Sequence, residues 1–133
     1  GFPDWLFGAG ILVAASPDVE IYGNTVTGNA DGIGAIQQNR SADYPSSNGP
    51  HEIRNLYVHD NFISGNGTTG LVQDIGDTSY FTSRNNRFVN NSYQATNLNN
   101  GQWTWNDANL GWSAWNSAGQ DVGGCAAITN SCQ

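Results

Sequence analysis

The stretch Val19–Asn29, VEIYGNTVTGN, constrains the fold most, because two later stretches repeat its pattern: NLYVHDNFISGN at 55–66 and YFTSRNNRFVNN at 80–91. Laid on one another, they put Asn24, Asn61 and Asn86 in one column. Asn29, Asn66 and Asn91 form a second column, and Val26, Ile63 and Phe88 a third. Self-similarity at a steady period decides fold before local propensity does, since a recurring unit must meet its neighbours in the same way each time. The Asn column advances by 37 residues (24 to 61) and then by 25 (61 to 86). Gly10-Ile11, Gly32-Ile33 and Gly70-Leu71 each open a short apolar run, at offsets of 22 and 38. One unit is thus roughly 22 to 25 residues, within the solenoid range, and the middle unit carries an insertion.

Inside each unit apolar and polar residues alternate, as in Val19, Ile21 and Val26 with Glu20, Tyr22 and Thr25 between them. A period of two means strands with one buried face. Gly23-Asn24, Asp60-Asn61 and Asn85-Asn86 interrupt these strands with residue types that tolerate tight or left-handed turns. Short strands, sharp turns and a fixed unit length predict stacked parallel strands. In such a stack the Asn24, Asn61 and Asn86 amides form a ladder, each bonding to the unit above and below.

These residues carry a resemblance. GAGILVAASPDVEIYGNTVTGNADGIGAIQQNR, NLYVHDNFISGN, GLVQDIGD and the GQD at 119–121 resemble the C-terminal part of secreted bacterial proteins with right-handed parallel β-helix repeats, the pectate-lyase-like β-solenoids. The resemblance implies an all-β chain: a right-handed parallel β-helix of about three to four rungs over 1–97, with a Trp-rich C-terminal cap over 98–133. It does not fix a reaction, because that broad group includes polysaccharide lyases, glycoside hydrolases, epimerases and proteins with no assigned activity.

Composition narrows the partners. The chain has 133 residues, four Arg and no Lys against eleven acids, and a formal net charge of −7. Nucleic acid needs a basic footprint and is not expected as a partner. No apolar run is long enough for a membrane-spanning helix, so no membrane is expected either. Asn, Ser, Thr and Gly replace charge, as in extracellular β proteins, and five Trp, five Tyr and five Phe supply a core that a disordered chain lacks. Cys125 and Cys132 are the only cysteines; a disulfide closing the tail fits an exported protein. The chain has no Met and opens on GFPDWLF, which runs into a unit without a polar cap. The expectation is an upstream β-helix segment or a second chain covering that end.

Candidate site residues fall in four groups. The insertion at about 39–50 is rich in turn formers and, with Gln38, Arg40 and Tyr44 on or beside it, is placed to wall a binding groove. Asp74 and Asp77 are spaced to serve as general acid and base, as calcium ligands, or simply as turn and capping carboxylates; calcium is therefore a possible cofactor, and no protein metal site is expected. Reading outward positions as rows puts Tyr22, His59 and Arg84 side by side, then Gly23, Asp60 and Asn85, then Thr25, Phe62 and Arg87. His59, Asp60, Arg84 and Asp74 are thereby the candidate catalytic residues, with Tyr22, Gln38, Arg40, Tyr44 and Arg87 as substrate-binding residues. Trp5 is either a core residue or a sugar-stacking platform, and Trp103, Trp105, Trp112 and Trp115 either a cap over the last rung, with a short helix around 112–119, or a sugar-binding row. The expected function is action on an extracellular polysaccharide by a secreted β-helix protein, as a lyase or glycoside hydrolase; the alternative is a non-catalytic module for polysaccharide binding, adhesion or surface assembly.

Overall fold

The computed structural model describes residues 5–39, 51–65, 67–99 and 101–132. The strands are short, as the alternating pattern requires: β1 (Ala9–Ala14), β2 (Glu20–Tyr22), β3 (Thr25–Thr27), β4 (Asp31–Gln37), β5 (Tyr57–His59), β6 (Phe62–Ser64) and β7 (Thr69–Gln73). They continue with β8 (Arg87–Val89), β9 (Ser92–Gln94), β10 (Trp103–Trp105) and β11 (Ala108–Leu110), then the α-helix α1 (Trp112–Ser117), and finally β12 (Cys125–Ala127). The protein is thus mostly β with little helix.

Three sheets collect these strands in the orders β1-β4-β7-β10-β11, β2-β5-β8 and β3-β6-β9-β12. The chain visits the sheets in a fixed order, so β1, β2 and β3 belong to a first pass, β4, β5 and β6 to a second, and β7, β8 and β9 to a third. Every pairing is parallel except β10 with β11, a hairpin that closes the five-stranded sheet. The parallel pairings continue past Leu98: β10 joins β7 and β12 joins β9, so the segment expected to be only a cap also extends two sheets.

The register corrects the alignment of the third repeat. Glu20 stands opposite Tyr57 and then Arg87, Tyr22 opposite His59 and then Val89, and Ile63 opposite Tyr93. The column expected to hold Asn24, Asn61 and Asn86 holds Asn24, Asn61 and Asn91. The Asn24 backbone and side-chain amides both donate to Asn61 Oδ1 at 3.0 Å. Those of Asn61 donate to Asn91 Oδ1 at 3.0 and 2.9 Å, and those of Asn91 to Asp121 Oδ1 at 2.9 Å. Two asparagines five residues apart recur in every repeat, which makes a five-residue slip invisible in sequence. The register resolves the ambiguity: Phe88 stands opposite Val58, not Ile63, and Ile63 stands opposite Tyr93, all four buried. Asn86 is buried for another purpose, accepting from the Leu56 backbone N–H at 3.0 Å and donating to the carbonyls of Ile53 and Tyr80. Likewise Gly70 stands opposite Gly34, not Gly32, a slip of two that leaves the buried face unchanged.

Left-handed corners make the short strands possible. Asp18, Asn55 and Asn85 precede the strands of the three-stranded sheet, and Gly23, Asp60 and Asn90 those of the four-stranded sheet, all at φ between 54° and 68°. Asp and Asn reach this region more readily than other side-chain-bearing residues, which is why the corners read as Asp, Asn or Gly. The first set also forms an exposed ladder, Asn85 Nδ2 to Asn55 Oδ1 at 2.7 Å and Asn55 Nδ2 to Asp18 Oδ1 at 3.2 Å.

Between the sheets lies one core of inward residues, among them Ile21, Val26, Ile33, Val58, Ile63, Leu71 and Phe88. Its far end is aromatic: Phe88 meets Trp115 edge-on at 5.1 Å and Tyr93 meets Trp103 at 5.3 Å. Trp103, Trp105 and Trp115 are buried and Trp112 packs on Trp103, so these rings close the core and form no exposed sugar-binding row. Truncating such a buried Trp costs about 3–5 kcal/mol in a typical core. Asp121 ends the inner ladder beneath them, fully buried, its second oxygen accepting from the Tyr93 hydroxyl at 2.6 Å and Trp115 Nε1 at 2.9 Å. Burial raises its pKa against the lowering effect of these donors. Cys125 and Cys132 are joined by a disulfide that ties β12 to the last turn.

Candidate functional site

Two outward sheet faces carry the residue types that chemistry on a sugar needs. The first is the outside of β2, β5 and β8. His59 lies between Tyr57, with ring centroids 4.0 Å apart, and Tyr22, at 5.1 Å. Its Nδ1 meets Asp60 Oδ2 at 2.6 Å and its Nε2 meets Glu20 Oε2 at 2.7 Å. The Arg87 guanidinium covers the far side of Tyr57, 4.2 Å from the ring centroid. The result is one stacked column, Arg87–Tyr57–His59–Tyr22, flanked by two carboxylates. The Asp60 hydrogen bond, followed by the Glu20 hydrogen bond, raises the His59 pKa. With both ring nitrogens engaged by carboxylates, His59 is poorly placed as a general base.

The second face is the outside of β4, β7 and β10. Leu6, Ile36 and Val72 form a small apolar cluster there, separate from the main core, and Trp5 packs against it. Gly34 permits this, because a Cβ added there would meet Leu6 Cβ at 2.6 Å. Trp5 lines two open clefts. One, of about 200 Å³, is lined by Trp5, Phe7, Gln38 and Asp74. The other, of about 250 Å³, is lined by Trp5, Val72, Gln73, Thr104, Asp107 and Asn109. The Trp5 and Phe7 rings lie 6.0 Å apart and nearly parallel. Gln73 Nε2 donates to both Asp107 oxygens, at 3.0 and 3.2 Å, and its Oε1 accepts from the Ile75 and Asp77 backbone N–H groups. The side chain lining the second cleft is therefore fixed in place before any ligand arrives.

Arg84 belongs to neither face. The register puts Val89 where Arg84 was expected, opposite His59. Arg84 instead bonds Glu52 Oε2 at 2.5 Å, Asp77 Oδ2 at 3.0 Å and Ser79 Oγ at 2.8 Å, and lies 4.0 Å over the Tyr80 ring. This guanidinium is a clamp between two loops. Asp77 is held below the usual carboxylate range, first by its hydrogen bonds from Ser79 and then by Arg84, and it caps the 3₁₀ turn Thr78–Phe81. Asp77 is thus engaged by Arg84 and Ser79, and among the described residues no group of three or more His, Cys, Asp or Glu is placed to hold a metal ion.

The predicted residues therefore divide. His59, Asp60, Tyr22 and Arg87 come together on one face, and Gln38 and Asp74 on the other, beside Trp5. Arg40 and Tyr44, with most of the expected insertion, lie outside the described residues. Sequence reasoning did not single out Glu20, Tyr57, Asp107, Gln73 or Asn109 as site residues. Glu20 and Tyr57 were legible only through the register, and Asp107 through a turn, Asn106-Asp107 in left-handed conformation, that brings it back beside Gln73.

A comparison with protein-family models, curated proteins and solved structures finds no match to this chain. Among the described residues no helix is long and apolar enough to cross a membrane.

Proposed function

We propose that this chain is a polysaccharide-binding portion of a secreted right-handed parallel β-helix, and that Trp5 and its two clefts are the sugar-binding face. One observation carries the reading: an aromatic residue that lines two open clefts, each with a carboxylate and at least one side-chain amide. An aromatic face packs against the C–H face of a pyranose, while carboxylate and amide groups exchange hydrogen bonds with its hydroxyls. Asp74 with Gln38, and Asp107 with Asn109, supply those groups, while Gln73 holds the Asp107 carboxylate in place. Parallel strands of fixed spacing give such a face the rigidity that a repeating glycan rewards. Among the described residues the cleft linings hold acids and no cation, which favours a neutral glycan over a uronate. The disulfide and the Asn-, Ser- and Gly-rich composition support an extracellular setting.

A catalytic reading rests on the same clefts. Each cleft is lined by one carboxylate, Asp74 in the first and Asp107 in the second, and hydrolysis of a glycosidic bond calls for two. The composite centre of His59, Asp60, Arg84 and Asp74 does not support it, since these residues are divided among three surroundings. Calorimetric titration of neutral and acidic oligosaccharides, with reducing-end and unsaturated-product assays on the same samples, separates the readings. Saturable binding without product supports the module. Product that disappears in both Asp74→Asn and Asp107→Asn supports hydrolysis, and absence of binding to any glycan sinks both.

A further inference from the structure

We infer that the edge formed by β1, β2 and β3 is an interaction surface for one further parallel pass of polypeptide, and that this pass presents an amide donor to Asn24 Oδ1. Among the described residues each of the three sheets ends on its first-pass strand, so all three edges present backbone groups in the same direction. The buried ladder adds a polarity. At every step a backbone N–H and a side-chain amide of one pass donate to the Asn oxygen of the next, and Asp121, which only accepts, closes the sequence. Asn24 stands at the open end. Its amide donates onward to Asn61, while among the described residues no donor reaches its oxygen.

Two more features specify the occupant. The stacked column Arg87–Tyr57–His59–Tyr22 ends on Tyr22, which is 61% exposed, so an aromatic, His or Arg side chain in the incoming strand would continue it. The exposed ladder ends on the Asp18 carboxylate, which calls for a donor opposite it. Ladder polarity argues against a second copy of the chain. A two-fold dimer through this edge would pair the strands antiparallel and set one Asn24 oxygen against the other. A head-to-tail copy would have to offer its last pass, which is closed by Asp121, α1 and the antiparallel β11. The occupant is a distinct polypeptide strand with an aromatic or cationic residue two positions before an Asn.

The chain contains such a sequence. Residues 55–65, NLYVHDNFISG, place Asn55, His59 and Asn61 opposite Asp18, Tyr22 and Asn24 in the native stack. A labelled synthetic peptide of this sequence, titrated into the full chain by fluorescence anisotropy, is the probe. Saturable binding is expected, weakened about ten-fold or more when the Asn61 position of the peptide is changed to Asp, which cannot donate. Tyr22→Ser in the chain, an exposed change outside the ladder, is expected to weaken binding several-fold. No saturation up to about 1 mM peptide overturns the inference. Equal affinity for the Asp peptide, or a symmetric dimer through this edge in sedimentation, also overturns it. The inference is independent of the sugar-binding reading, and either stands if the other fails.

Discussion

The outer faces of two neighbouring sheets use similar side chains to opposite ends. On the three-stranded sheet, His59, Glu20, Asp60, Tyr57 and Arg87 satisfy one another, so the groups with the greatest chemical promise are already spent on structure. On the five-stranded sheet, Trp5 is held from behind by Leu6, Ile36 and Val72 and lines two open clefts. A list of catalytic residue types would rank the first face higher. What distinguishes them is whether a ring or carboxylate has room and unspent capacity for a ligand.

Variants can break that contrast. Trp5→Ala removes the platform and is expected to weaken neutral-glycan binding by about 2 kcal/mol, roughly thirty-fold, in calorimetric titration. Gly34→Ala touches no cleft residue but forces Leu6, and with it Trp5, away from the sheet. Overpacking of this kind costs about 1–3 kcal/mol of stability, so thermal unfolding should fall together with a five- to ten-fold loss of binding. Asp74→Asn keeps the shape and alters one hydrogen-bonding group, with an expected loss of about 1 kcal/mol, near five-fold. His59→Gln should leave glycan affinity unchanged, since its column faces away from the clefts.

The same His59 variant sharpens the comparison through pH. Because its folded-state pKa is raised by Asp60 and Glu20, the pairing stabilises the fold fully below the unfolded-state value of about 6.5 and is lost as pH rises through the raised value. Melting temperature in wild type should therefore decline over that window, with a shallower decline in His59→Gln. A wild-type profile with no such decline would show that the two carboxylates do not hold the imidazolium.

Much of the scaffold was legible because it repeats. Alternating Val19, Ile21 and Val26, turn residues at Gly23 and Asp60, and the pairing of Asn24 with Asn61 all follow from pattern and turn chemistry. The step from Asn61 to Asn91 was not, because Asn86 and Asn91 offer equal matches and only the packing of Phe88 and Tyr93 against the terminal Trp residues chooses between them. That slip carried Arg84 to the wrong neighbours and hid the pairing of Arg87 with Tyr57. The Trp5 cleft was legible in its parts, Trp5, Gln38 and Asp74. Its assembly depends on Leu6 crossing the sheet at Gly34, a contact with no periodic signature.

The most direct test of the sugar-binding face is NMR observation of the five Trp indole N–H signals during titration with a neutral oligosaccharide. The account predicts that the Trp5 signal shifts and saturates while those of Trp103 and Trp115, both fully buried, stay in place. Shifts confined to the His59 and Tyr22 rings, or a Trp5 signal indifferent to every glycan, would contradict it.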